Sequence, residues 1–90
     1  MKRLHIYVSG IVQGVFFRQS TLTKAKEFGI YGWVKNLRDG GVEIVCEGDE
    51  ESLKKMAIWC KKGPDGAFVS GADVQWEDFK NEFKKFQIIY

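Results

Sequence analysis

The sequence predicts an α+β fold, one antiparallel sheet with two helices on a single face, and three observations carry that expectation. Short alternating runs mark strands, two segments of helical periodicity separate them, and turn residues fall where the period changes. The elements follow as β, α, β, β, α, β, with an extended segment at the carboxyl end.

From Arg3 to Ser9 the residues alternate, with Leu4, Ile6 and Val8 on one face and His5, Tyr7 and Ser9 on the other, the period of a half-buried strand. A glycine-bearing loop, Gly10 to Phe17, leads into a helix over Gln19 to Phe28, where Thr21, Ala25 and Phe28 share a face and Gly29 stops it. Two β-rich runs, Ile30 to Asn36 and Gly41 to Glu47, are joined through Asp39-Gly40, a dipeptide suited to a hairpin turn.

The second helix has the clearest local signals. Asp49 can cap it, Glu50 and Glu51 suit its positive end, Lys61 and Lys62 its negative end, and Gly63-Pro64 ends it. Leu53, Met56, Ala57 and Cys60 form its buried stripe. Cys60 lies on that stripe and Cys46 alternates in phase with Val42 and Ile44, so core packing accounts for both thiols. After a loop from Pro64 to about Ser70, Ala72 to Trp76 reads as a fourth strand and Phe83 to Tyr90 as a final extended segment.

Two split βαβ units with right-handed crossovers interleave into the ferredoxin-like βαββαβ sandwich, with both helices on one face and the other face open. In that topology the first and second strands run parallel with the third between them. The loop after Ser9 and Asn36 then become neighbours, separated by two strand spacings, about 10 Å.

Ninety residues allow one domain, 1–90. Apolar residues at 44% and charged residues at 29% place the chain among globular sequences. A formal charge of +2 is far from that of a general nucleic-acid binder, so no nucleic acid is expected as a partner and any anion site must be local. Met1-Lys2-Arg3 precedes only a short alternating run, so a cytoplasmic location is expected, with no membrane association. Neither the two cysteines nor the single histidine has neighbours at metal-ligand spacing, so no metal and no cofactor are expected.

Several phosphatase routes are absent. A cysteine nucleophile of the Cys-x5-Arg type needs arginine where Ser52 and Gly66 stand. There is no Asp-x-Asp pair for an aspartyl nucleophile and no GxxxxGK phosphate loop. His5, inside the first strand with no partner indicated, reads as structural.

The segment from Val8 to Arg18, VSGIVQGVFFR, remains. Gly10 and Gly14 let the backbone curl, and successive N–H groups in such a curl, reinforced by the following helix, form an anion cradle. Arg18 can fold its planar fork over the same anion. An ordinary connector followed by a solvated arginine is the competing reading of these residues.

VSGIVQGVFFR resembles the first signature of the acylphosphatase family, and GWVKNLRDGGVEIVCEGD, from Gly32 to Asp49, resembles the second. The likeness extends less strictly to Gly63-Pro64 and the aromatic carboxyl terminus, although Asp65 stands where a second proline is common. It implies a phosphate-binding loop of Gly10, Ile11, Val12, Gln13, Gly14, Val15, Phe16 and Phe17, a phosphate-binding Arg18 and a water-orienting Asn36. The implied substrate is a small-molecule acyl phosphate, with inorganic phosphate as product and competitive inhibitor and the protein a monomer. The leaving carboxylate has a conjugate acid of pKa near 4, so no general acid is required, and a loose transition state needs mainly positioning and charge stabilisation.

A different class of function is RNA binding on aromatics of the open face, where His5, Tyr7 and Trp33 could lie. Glu43 and Glu47 should share that face and repel phosphates, and an RNP-type aromatic pattern is missing. A domain of this family that serves only as an interaction module is a further alternative.

Overall fold

The computed structural model describes all residues, Met1–Tyr90. Alternation along the chain decides which side chains turn inward. In β1 (Lys2–Ile11), Leu4, Ile6 and Val8 are buried, and in β2 (Tyr31–Asn36) and β3 (Val42–Gly48) so are Val34, Val42, Ile44 and Cys46. Against this apolar sheet face pack Phe17, Thr21 and Ala25 of α1 (Phe17–Phe28) and Leu53, Met56 and Cys60 of α2 (Glu50–Lys62). Each large apolar side chain removed from water in this way stabilises the fold by about 1.5–3 kcal/mol before the entropy of ordering is set against it.

The strand order is β4-β1-β3-β2-β5, with β4 at Phe68–Glu77 and β5 at Phe86–Ile88. The four strands of the βαββαβ unit pair antiparallel, as the sequence predicts, and β1 and β2 run parallel with β3 between them. The final segment does pair: β5 adds a parallel strand beside β2, making the sheet mixed at that edge. Helix α1 lies over β2 and β5, and α2 over β4 and β1.

Beyond shifts of one residue, the boundaries of β1, β4, α1 and the final segment, a strand only over Phe86–Ile88, differ from the sequence-based expectation. Gly10 and Ile11, expected in the loop, belong to β1 and pair with Val69 and Phe68, so β4 also begins earlier than Ala72. The cause is a register shift between Ser9 and Gly10. Gly10 takes φ 125°, and a Cβ there would lie 2.1 Å from the Phe68 carbonyl oxygen, so only glycine lets the two strands continue together. Phe17, also expected in the loop, is the first residue of α1, its buried ring 5.3 Å from that of Trp59. The irregular segment is therefore Val12 to Phe16. Asp49 occupies the cap position of α2 but its side chain makes no capping hydrogen bond.

The sheet face expected to be open is covered at one end. After β4 the chain crosses to the far edge, and the N–H groups of Lys80 and Glu82 donate to the Glu47 carboxylate at 2.7 and 2.9 Å. Arg3 donates to Glu47 and Glu77 at 3.3 and 3.1 Å and to Glu82, and lies over the Phe83 ring. Glu47 is only 3% exposed, which removes it from the open face. Nearer the middle, His5 has two partners that the sequence reading did not indicate. Its Nε2 is 2.6 Å from Glu43 and its Nδ1 3.4 Å from Glu77. The role remains structural, bridging β3 and β4 across β1.

Candidate active site

The connection between β1 and α1 begins with a buried Val12 and turns at Gly14, φ 74°. It closes at Phe16, which takes φ 60° and ψ 26° at the entry to α1. The Phe16 carbonyl accepts the Ser20 N–H at 3.0 Å. Among the backbone hydrogen bonds made outside helices and strands, none has its donor between residues 12 and 19, and no main-chain N–H of that stretch donates to a side chain. Five residues of curled backbone and the first turn of a helix thus present a run of N–H donors the chain does not use internally, the arrangement that favours an anion.

Gln13 ties this segment to the β2–β3 turn. Its Nε2 donates to the carbonyls of Leu37 and Gly41 at 2.7 and 2.9 Å. The turn is closed by the Leu37 N–H donating to Gly41 and by the Gly41 N–H donating to Asp39 Oδ1, both at 2.8 Å. Sequence reasoning placed Gln13 in the loop but gave it no such partner, because a contact across 24 positions has no local signal.

Asn36 is the last residue of β2. Val8, Val42 and Asn36 stand opposite one another across β1, β3 and β2, so their side chains share a face. Val8 and Val42 are buried beneath the helices, which puts the Asn36 amide on the helix side, where α1 lies over β2. Its Oδ1 is buried and has no hydrogen-bond partner within the chain. A buried amide oxygen without a partner costs about 1–3 kcal/mol, a penalty tolerated most readily where function uses the group.

Arg18 lies in the first turn of α1, half-buried, its guanidinium carbon 5.0 Å from the centre of the Tyr90 ring. Pairing of β5 with β2, extended by the Ile89 N–H donating to the Val34 carbonyl at 2.8 Å, carries Tyr90 to that position. The fold therefore collects the irregular loop, Arg18 and Asn36 at one end of the sheet. None of the surface concavities is lined by Arg18 or Asn36. A cleft of about 190 Å³ between Ser9, Gly10, Leu37 and Gly41 adjoins the loop, and the largest, about 480 Å³, opens elsewhere, beside Gly29 and Tyr31.

Both cysteines are free and buried in the core. Burial pushes the Cys46 thiol up to about 12 and the Cys60 thiol well above its ordinary value, so neither supplies a thiolate at neutral pH. No group of three or more histidine, cysteine or carboxylate side chains is arranged to hold a metal ion.

The acylphosphatase family model matches residues 4–88. An acylphosphatase of Methylococcus capsulatus is 48% identical over 89 residues, covering 99% of this chain and 97% of its own length. The chain belongs to the acylphosphatase family. It is an enzyme of that family, a hydrolase, and family membership is consistent with acyl phosphate hydrolysis. Solved acylphosphatases share its ferredoxin-like fold. That of Bacillus subtilis superposes with a TM-score of 0.96 at 36% identity over the whole of both chains. That of Coxiella burnetii superposes with 0.92 at 39% identity, over 98% of this chain and 92% of its own.

Proposed function

We propose that this acylphosphatase holds the phosphoryl group of an acyl phosphate in the main-chain N–H groups between Val12 and Arg18, clamps it with the Arg18 guanidinium, and orients the attacking water with Asn36. The observation that carries this reading is the Asn36 Oδ1, buried without a partner on the face shared with Val8, at the end of the sheet where the loop and α1 begin. An amide there can accept a hydrogen bond from water and direct its lone pair at phosphorus.

In the reaction a water O–P bond forms, the bond from phosphorus to the acyl oxygen breaks, and the carboxylate leaves with the bonding electron pair. Both protons of the water end on the product, dihydrogen phosphate. The carboxylate needs no protonation, so the lack of a histidine or carboxylic acid in the loop is no obstacle. Charge on the equatorial oxygens is met by oriented N–H dipoles and by a bidentate arginine, the contributions that matter most in phosphoryl transfer. The chain's own residues suffice for these tasks, so the reaction is metal-independent and chelation leaves its rate unchanged. Recognition centred on phosphate makes inorganic phosphate a competitive inhibitor. The protein acts as a monomeric single domain, 1–90, in the cytoplasm, with no nucleic-acid or membrane partner. No helix is long and apolar enough to cross a membrane.

Phosphate release from an aromatic or short-chain acyl phosphate, measured against an alkyl phosphate control, tests the reading. Rapid release from the first and almost none from the second is expected. Equal rates, or none from either, would overturn it.

A further inference from the structure

The curl of the loop accounts for the left-handed backbone of Phe16, but neither the fold nor the phosphate cradle explains why a bulky aromatic residue stands there. A bulky residue at φ 60° is a backbone outlier, and glycine or asparagine would relieve it. The side chain gives no packing in return, since it is 81% exposed and outside the hydrophobic core. The strained, outward ring lies two residues before Arg18. It is not alone: Ile11 and Phe68, cross-strand partners where β1 runs into the loop, are 64% and 65% exposed. Exposed apolar side chains thus stand beside the start of the five-residue segment, Ile11 and Phe68, and at its end, Phe16, while its main-chain N–H groups are unused within the chain.

We propose that Phe16 is a specificity-determining residue that supports the acyl group of the substrate and favours flat or apolar acyl phosphates over small ones. The inference rests on the reading of the loop as the phosphate site. With phosphate seated on the main chain, the carbonyl and its substituent project away from the cradle and lie against the surface the loop displays, where Phe16, Ile11 and Phe68 are exposed. Phe16 displays an aromatic face. An aromatic pair contributes roughly 0.5–1.5 kcal/mol beyond area burial, which corresponds to about 2- to 12-fold in relative kcat/KM.

The experiment compares benzoyl phosphate with acetyl phosphate on the wild type, Phe16→Asn and Phe16→Gly. Both replacements accept the left-handed backbone, so the loop's path is kept. The benzoyl-to-acetyl ratio of kcat/KM is expected to fall about 3- to 10-fold in each variant, while the melting temperature holds or rises as strain is relieved. An unchanged ratio would overturn the proposal, as would an equal fall on both substrates together with a lower melting temperature, which would make Phe16 a packing residue. A wild type that hydrolyses neither substrate would remove the phosphate-site reading itself and this inference with it, a failure visible before any variant is made.

Discussion

The Gln13 side chain donates to the Leu37 carbonyl at 2.7 Å, so the curled segment before α1 is fastened to the turn that follows Asn36. With its second bond to Gly41, this amide sets the loop's position relative to the end of β2. Gln13→Leu keeps the side-chain bulk and removes both donors. Each carbonyl keeps a main-chain partner, from Gly40 or Leu37, so no acceptor is orphaned and stability should fall by only about 1–2 kcal/mol. Turnover should suffer more, by roughly 10-fold or above, because small misplacements of positioned groups are costly. Chemical denaturation and acyl phosphate kinetics on the same preparation check this; undiminished kcat/KM would show that the loop holds its shape without the tether.

Asn36→Ala separates function from fold unusually well. Since the buried Oδ1 accepts no hydrogen bond within the chain, its removal takes away an unmet polar group, and the variant should be as stable as the wild type or slightly more so. Affinity for inorganic phosphate should persist, while kcat falls by about 10². Titration calorimetry with phosphate beside steady-state rates decides the matter. Near-normal turnover would remove Asn36 from the mechanism, and lost phosphate affinity would reassign it to phosphate binding.

Arg18→Lys keeps the charge but loses the planar fork and its stack on Tyr90. Phosphate binding and turnover should both weaken, kcat/KM by about 10². A lysine variant with wild-type inhibition by phosphate would mean that the guanidinium acts as a simple counter-charge or not at all.

What could be read from the sequence divides along the range of the interactions. Alternation in β1, the helix signals from Glu50 to Lys62 and the Asp39-Gly40 turn are written within a few residues, and each element stands where those signals put it. The topology that joins the end of β1 to Asn36 follows from the element order alone. The reach of β1 to Ile11 and of β4 back to Phe68 is hidden, because Gly10, Ser70 and Gly71 look like breakers until the pairing shows that Ser70 is the extra residue of a bulge in β4 and Gly10 still pairs, with Val69. Burial of Glu47 was hidden for the same reason. Period two puts it on the solvent face, and only a crossing segment more than thirty positions later covers it. The pairing of His5 likewise depends on strand register, and that of Gln13 on where the loop meets the β2–β3 turn, neither of which a local pattern specifies.

Glu47 makes the last prediction, on acid stability. Burial alone would raise its pKa, but the N–H groups of Lys80 and Glu82 and the Arg3 guanidinium outweigh it, and the folded carboxyl lies below its ordinary value. With the folded pKa depressed, the unfolded chain binds the proton more readily. The stabilisation is therefore complete above the unfolded value of about 4.3 and is lost as pH falls through the lower folded value. Glu47→Gln cannot take the charge, so at neutral pH it should be less stable than the wild type by roughly 1–3 kcal/mol. The gap should close as the pH drops below about 4. Urea unfolding of both proteins from pH 7 to pH 3 measures it, and a gap of constant size would mean that packing, not the ionised carboxylate, holds the crossing segment. That segment leads into β5, which brings Tyr90 to Arg18. Its loosening should therefore also appear near neutral pH in Glu47→Gln as weaker phosphate inhibition, with Asn36 and the loop untouched.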